Sequence, residues 1–228
     1  MKKLTAVLLA LVMTLGIASA LADSFKPGDR VYFGHYEQDG NARNGAEKIC
    51  WIVLKAEGDD LMLLSEKGLD RHRFHKSSDG TSWKGSELRE WLNEVFLYAA
   101  FDASERDAII LTEVEDTLEH SNPAWNSGKR YGDVCQDMVF LPSYKEMNEL
   151  VSDNDLYCTP SQYTLDKDVY TERHNGVRTC WYWLRTSAFR NNAAVVSADR
   201  QFDTCYIHHD YGVVRPAICV DASAVTAY

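Results

Sequence analysis

The sequence is short of positive charge and lacks every common catalytic signature. Against 34 acidic residues the 228-residue chain carries 24 Lys and Arg, so its formal net charge is −10. That charge repels nucleic-acid phosphates and anionic headgroups, which excludes nucleic acid as an expected partner. No Gly-x-Ser-x-Gly elbow, no Cys-x-x-Cys pair and no zinc-ligand spacing occurs. We therefore predict no catalytic residue, no metal ligand and no cofactor.

Pro-rich linkers, Gly/Ser-rich linkers and internal repeats are missing as well, so nothing divides the chain into separate units. The length suits one large domain or at most two small ones. Hydrophobic residues at 45 % and charged residues at 25 % are typical of globular proteins. We expect one domain over residues 23–228, with its core at about 28–221.

The one long apolar run stands at the N-terminus. Lys2 and Lys3 precede an apolar stretch, which ends in small residues up to Ala22 before the polar Asp23. This three-part plan is typical of a secretory signal peptide. We expect residues 1–22 to be removed on export, leaving a secreted or cell-surface protein with no membrane insertion. An uncleaved anchor is the alternative, because the run is just long enough to span a bilayer.

All six cysteines follow the predicted signal peptide, in a compartment where disulfides persist. They are Cys50, Cys135, Cys158, Cys180, Cys205 and Cys219. Their 15 possible pairings are not resolved by sequence. We expect at least one disulfide, with Cys50 and Cys219 as the favoured pair because both fall on predicted strands of one sheet. Six free buried thiols in an anaerobic organism are the alternative.

Hydrophobic periodicity predicts strands, then helices, then strands. The strands are expected at 30–34, 49–55, 61–65, 180–186, 193–198, 204–208 and 213–220. Ser86, Asp102 and Ser143 are predicted helix N-caps, the last two with a Glu three residues later as in a capping box. In the helix from Ser86 the spacing places one apolar face, formed by Leu88, Trp91, Leu92, Val95, Phe96, Ala99 and Ala100. This order indicates a single α+β domain whose two ends share a sheet.

Several segments carry a family resemblance. They are FGHYEQDGNARNG, ICWIVL, LMLLSEKGLD, LREWLNEVFLYAAF, VFLPSYKEM, WYWLRTS and GVVRPAICV. In this order, from about Gly28 to Asp221, they resemble a family of secreted bacterial domains known as domain of unknown function 6273. The chain is more distantly similar to C-type-lectin-like folds, including sulfatase-modifying and diversified surface-binding proteins. The resemblance implies a C-type-lectin-like domain, with a mixed or antiparallel sheet and two to three helices in the middle of the chain.

The strand that begins at Cys180 is the richest in groups for recognition. Alternation predicts one face with Trp181, Trp183 and Arg185 and an opposite face with Tyr182, Leu184 and Thr186. Aromatic rings, amides and guanidinium groups suit a polar ligand such as a glycan or a peptide. We expect the contacts to be Trp181, Arg190, Asn191, Asn192 and Tyr211. We place Trp183, Arg185 and Arg215 behind them as structural support.

Two apparent metal motifs are interpreted without a metal. The segment 39–45 suggests a calcium loop, but Arg43 and Asn44 stand where an EF-hand needs a ligand and a Gly, so we expect a hairpin loop. His208 and His209 are neighbours on a predicted strand and should point oppositely, as surface side chains.

We interpret the chain as an exported, non-catalytic binding or cell-surface module for an extracellular glycan or protein ligand. The alternative is an exported enzyme, a hydrolase or a thiol-dependent one, with a site assembled from residues distant in sequence. A deep pocket of mutually hydrogen-bonded titratable groups would favour the enzyme, and a shallow aromatic surface would favour binding.

Overall fold

A computed structural model describes residues 25–117, 121–125, 133–189 and 191–228. The predicted signal peptide at 1–22 lies outside the described residues. None of the helices in the described part of the chain is both long and apolar enough to cross a bilayer.

Sixteen strands and five short α-helices make up the described regular structure. The strands are β1 (Arg30–Tyr36), β2 (Glu47–Glu57), β3 (Asp60–Ser65), β4 (Lys67–Gly68), β5 (Asp70–Arg71), β6 (Thr112–Asp116), β7 (Asp133–Asp137), β8 (Thr159–Pro160), β9 (Thr171–His174), β10 (Val177–Cys180), β11 (Tyr182–Ser187), β12 (Asn192–Val196), β13 (Phe202–Tyr206), β14 (Val213–Val214), β15 (Ala217–Asp221) and β16 (Thr226–Ala227). The helices are α1 (Glu87–Trp91), α2 (Leu97–Ala100), α3 (Ala103–Ala108), α4 (Tyr144–Leu150) and α5 (Gln162–Leu165).

The first sheet joins both ends of the chain. Its order is β15-β3-β2-β1-β16, and every pairing in it is antiparallel. Strand β2 lies at its centre, and its apolar run is covered on both faces, since the neighbouring Trp51 and Ile52 are both buried. The Trp51 indole also donates a hydrogen bond of 2.7 Å to the carbonyl of Phe33 on β1. The expectation that the two ends share a sheet is confirmed.

The second sheet has the order β13-β12-β11-β14-β5, with β11 and β14 parallel. Every residue of β11 is buried, so both predicted faces of this strand are covered. The predicted single strand at 213–220 is wrong. The strand is interrupted at Arg215 and Pro216. Strand β14 belongs to the second sheet, and β15 belongs to the first. Proline donates no ladder hydrogen bond, which suits a crossing between sheets.

The helix caps follow the sequence. The Ser86 side chain accepts from the amide of Arg89, and Asp102 and Ser143 each form a complete capping box. Between α1 and α2 the helix continues through a π-helical stretch, Leu92–Phe96. The single apolar face predicted here is wrong in part, because Val95 is 53 % exposed and Ala99 is exposed too.

Short pairings without a strong sequence signal complete the fold. Strands β6 and β7, strands β9 and β10, and the parallel pair β4 and β8 form three two-stranded sheets. Buried side chains from both larger sheets and from the helices join one hydrophobic core. The described chain is thus an α+β domain with mixed sheets and a few short helices.

The buried Arg185 ties this core to α4. Its guanidinium is 1 % exposed and forms a two-pronged ion pair with Glu146 at 2.6 and 2.7 Å. It also donates to the carbonyls of Glu115 and Leu141, at 2.9 Å each. Glu146 in turn accepts from the amide of Ser143 at 2.7 Å, so one carboxylate serves both the helix cap and the arginine.

None of the six cysteines is bonded to another in this structure, so the expectation of at least one disulfide stays a prediction. The favoured pair, Cys50 with Cys219, is wrong for this topology. Cys50 lies on β2 and Cys219 on β15, and β3 runs between these two strands. Two strand spacings of about 4.8 Å each exceed the α-carbon separation that a disulfide spans.

We expect Arg185→Ala to lower the free energy of unfolding by about 3–5 kcal/mol, because it removes the guanidinium from a largely buried carboxylate. Urea denaturation of the two proteins measures the difference. The matched control is Arg178→Ala on β10, an exposed arginine whose loss should change stability by no more than about 0.5 kcal/mol. Equal midpoints for the Arg185 variant and the unaltered protein would contradict the structural role.

Candidate functional site

A groove lined by charged and aromatic side chains lies between residues 71–76 and the helix that begins with α1. It consists of two adjoining hollows of about 500 and 470 Å³, which share His72 and Arg73. We call this surface the 72–91 groove. Its outer wall carries Trp91 and Val95, and its other end reaches Arg71, Lys167 and Asp210.

Backbone hydrogen bonds fix the 71–76 wall to the second sheet. The His72 amide donates to the carbonyl of Gly212, and the His75 amide to that of Ile207, both at 2.9 Å. The Leu88 amide donates to the Phe74 carbonyl at 3.1 Å, which joins this wall to the start of α1. Both walls of the groove are therefore held by the core.

The helical wall presents one stripe of side chains. Glu87, Glu90, Trp91, Glu94 and Val95 line it at the spacing of a single helix face. The π-helical stretch begins directly after Trp91. Such π-turns are frequent at functional sites, because the extra residue re-aims the side chains of one turn. The His72 ring stacks on Trp91 across the groove, with centroids 5.1 Å apart and planes at 27°.

Tyr211 borders the far end of the groove. The Arg71 guanidinium lies over the Tyr211 ring at 4.8 Å and donates to the Asp210 carbonyl at 2.6 Å. It also donates to the carbonyl of Lys167. Burial opposes the charge of Lys167, but hydrogen bonds with Asp70 and Tyr163 raise the pKa of this ammonium group. Cations at this end are therefore already held by acceptors of the protein.

In the middle of the groove one basic side chain, Lys76, is paired within the described residues and another, Arg73, is not. Lys76 forms an ion pair with Glu87 at 2.8 Å. Partial burial favours a neutral Glu87, but the hydrogen bonds from Lys76 outweigh this and lower the pKa of the carboxyl. Arg73 is exposed, and within the described chain its guanidinium has no hydrogen bond or ion pair. One arginine is thus available to a ligand in a protein of strong net negative charge.

Trp183 supports the groove from behind. It is fully buried, and its indole donates a hydrogen bond of 3.0 Å to the carbonyl of His72. Its ring packs against those of Phe74 and the half-buried Trp181, with centroid distances of 5.7 and 5.0 Å. The predicted contact Trp181 thus lies next to the residue that backs the 71–76 wall.

The expected contacts Asn191 and Asn192 are not among the side chains that line the groove. Asn191 and Asn192 stand at the turn into β12, half-buried, where the Asn191 carbonyl accepts from the Ile207 amide at 3.0 Å. Arg190 lies outside the described residues. Of the expected contacts, Tyr211 is the one that borders the groove, at 46 % exposure.

The comparisons with known proteins agree with the resemblance in sequence. The model of the family described as Domain of unknown function (DUF6273) matches residues 58–222. The chain belongs to this family. Neither a curated protein nor a solved structure matches it.

Both walls of the groove fall within the span of the DUF6273 match. Sequence reasoning missed His72, Arg73 and Trp91 as site residues because their signals were ambiguous. The apolar periodicity predicts Trp91 on the buried face of a helix. Exposed Val95 beside it is visible only in the structure, because the π-helical stretch alters which side chains face the core.

Two other clusters of possible metal ligands lie outside the groove of this DUF6273 chain. Carboxylate oxygens of Glu37, Asp39 and Glu47 lie within 4.8 Å of one another. They accept hydrogen bonds from nearby backbone amides, including one of 2.7 Å from the Gln38 amide to the Glu47 carboxylate. These bonds stabilise the loop and explain why the carboxylates lie together. The expectation that His208 and His209 point oppositely on a strand is wrong. They follow the end of β13, and their ring centroids are 5.6 Å apart.

We expect Gly212→Ala to damage the groove wall. A Cβ there would lie 1.7 Å from the Trp183 indole nitrogen, and the buried ring has no free space to move into. The free energy of unfolding should fall by about 1–3 kcal/mol through overpacking. Hydrogen exchange at residues 71–76 should accelerate.

The matched control is Gly58→Ala in the β2–β3 turn, where φ is +59° but no atom lies within 4 Å of the added carbon. It carries backbone strain without a clash. Unchanged exchange at 71–76 in the Gly212 variant would contradict the role of Trp183 behind the groove.

Proposed function

We propose that this chain is an exported, C-type-lectin-like binding module that holds a polar peptide in the 72–91 groove and catalyses no reaction. The observation that carries the proposal is the unengaged Arg73 beside the His72–Trp91 stack and the exposed Val95. A guanidinium, an aromatic edge and an apolar side chain within one groove can bind a carboxylate and a neighbouring apolar side chain together.

The charge pattern favours a peptide. The 71–76 wall contributes Arg73 and Lys76, and the helical wall contributes Glu90 and Glu94. Opposite charges on facing walls complement a chain that itself carries both signs, and they set its direction in the groove. A simple anion would be repelled by the acidic helical wall.

The aromatic rings favour a peptide over a glycan. A sugar stacks on an open aromatic face, but Trp91 is stacked by His72 and also contacts Phe96 at 5.7 Å. Tyr211 is covered by Arg71. With these faces engaged, hydrogen bonds and ion pairs are the main contacts left to a ligand.

The thiols give no support to the alternative of a thiol-dependent enzyme. A catalytic cysteine needs an accessible thiol of low pKa. Burial raises the pKa of Cys50 to about 12 and those of Cys135 and Cys205 to about 11. It also raises the pKa values of Cys180 and Cys219. Cys158, the remaining cysteine, is only 1 % exposed.

The arrangement of the second sheet supports a C-type-lectin-like domain. Strand β11, which bears Trp183 and Arg185, precedes the segment from Gly212 to Arg215 in the chain. The two segments are paired in the sheet, with Tyr182 opposite Val213. The resemblance to C-type-lectin-like folds implies such an order, a strand with Trp and Arg that precedes a terminal strand with Gly and Arg. Export is supported by the signal-peptide pattern of residues 1–22.

We expect the domain of residues 23–228 to select, from a random peptide library, peptides that combine an acidic, a basic and an apolar residue. Against the best selected peptide, Arg73→Ala should weaken the affinity at least tenfold, because it removes the free guanidinium. This loss corresponds to about 1.4 kcal/mol. Titration calorimetry measures it, and the melting temperature should stay unchanged because Arg73 is exposed.

The matched control is Arg178→Ala, which removes an equally exposed arginine from β10. A parallel glycan array tests the other ligand class. Glycan binding without peptide selection, or equal effects of the two arginine variants, would overturn the peptide proposal.

A further inference from the structure

Cys158 and Cys180 are held side by side by the backbone. The amide of Cys180, at the end of β10, donates a hydrogen bond of 2.9 Å to the carbonyl of Cys158, directly before β8. A backbone hydrogen bond of this kind holds two segments of the chain one strand spacing apart, about 4.8 Å. That spacing lies within the range of α-carbon separations that a disulfide spans, about 4.4–6.8 Å.

The two sulfur atoms also point to one place. A Cβ built on Gly68 would lie 3.2 Å from the Cys158 Sγ and 3.6 Å from the Cys180 Sγ. The two thiols interact directly with each other, and the Cys180 thiol also donates to the Cys158 carbonyl at 3.4 Å. Both residues are almost completely buried, at 1 % and 0 % exposure. The sulfurs therefore share one enclosed site against the backbone of β4.

In the folded chain a buried cation, Arg215, interacts with both thiols. Arg215 is fully buried, and in the described chain it donates to three backbone carbonyls and to the Tyr182 hydroxyl, the last at 3.2 Å. Burial alone would raise the pKa of the Cys158 thiol. The Cys180 thiol, Arg215 and the Gly68 amide outweigh it and lower this pKa, whereas burial and Cys158 raise the pKa of Cys180.

We propose that Cys158 and Cys180 are joined by a disulfide when the exported chain folds in oxidising surroundings. The other four cysteines do not face a cysteine across their strand pairings. Cys50 is opposite Tyr32, Cys135 opposite Val114, Cys205 opposite Ala193 and Cys219 opposite Met62.

The oxidant is a small-molecule or protein disulfide, and the step is thiol–disulfide exchange. The Cys158 thiolate attacks one sulfur of the oxidant, so a mixed disulfide forms and one thiolate leaves. The Cys180 thiolate then attacks the Cys158 sulfur, which forms the Cys158–Cys180 bond and releases the second thiolate. The cysteine pair loses two electrons, the oxidant gains them, and the two thiol protons end on the two released thiolates. Exchange precedes closure of the core, because both sulfurs are buried afterwards.

Peptide mapping tests the proposal directly. The chain of residues 23–228 is refolded with reduced and oxidised glutathione, denatured, alkylated without reductant and digested with trypsin. Cleavage after Lys145, Lys167, Arg178 and Arg185 yields Cys158 in peptide 146–167 and Cys180 in peptide 179–185. We expect these two peptides to be linked and the other four thiols to be alkylated. Six alkylated thiols, or a link to another cysteine, would overturn the proposal.

A stability measurement provides the second test. A phosphine reductant should lower the urea midpoint of the refolded protein, because the unfolded chain loses its cross-link. Cys158→Ser should start from a lower midpoint and show no response to reductant, whereas the control Cys205→Ser should respond as the unaltered protein does. An unaltered protein with equal midpoints in both conditions would contradict the bond. Binding at the 72–91 groove is measured separately, so failure of either proposal is distinguishable from failure of the other.

Discussion

Burial of the Arg215 guanidinium is the constraint on which the structure depends. A fully buried cation is tolerated when its donors find acceptors. Arg215 donates to the carbonyls of Ser65 at 2.9 Å and Asp155 at 2.7 Å, and to the Tyr182 hydroxyl. These acceptors come from β3, from the loop before β8 and from β11. One side chain thus holds the first sheet, the second sheet and the loop that carries Cys158 in fixed relation.

The crossing from β14 to β15 at Arg215 also determines where the 72–91 groove and the Cys158–Cys180 pair lie. Because the chain passes from β14 to β15 at Arg215, the segment before β14 is placed against the 71–76 wall. The buried Trp183 then supports that wall from below through the His72 carbonyl. Arg215 also contributes, after the Cys180 thiol, to lowering the pKa of the Cys158 thiol. Trp183 thus supports the groove wall, and Arg215 interacts with the thiol pair.

The sequence predicted local features well where a short-range signal decides the conformation. The caps at Ser86, Asp102 and Ser143 are confirmed, since each depends on a side chain and an amide three residues away. The sharing of a sheet by both chain ends followed from the order of the elements. The two errors, a single strand over 213–220 and a single apolar face over 86–100, had a common cause. Hydrophobic periodicity does not encode a crossing between sheets or a π-helical stretch.

The sequence alone therefore determined the family, the α+β class, most strands of the two larger sheets and the N-caps of three helices. These depend on composition, local spacing and segment order, all of which are written along the chain. Only the tertiary structure decided that Cys158 meets Cys180 rather than Cys50 meeting Cys219, and that His72, Arg73 and Trp91 line one groove. Such pairings join residues far apart in sequence, and the packing of buried groups around Arg215 and Trp183 selects them.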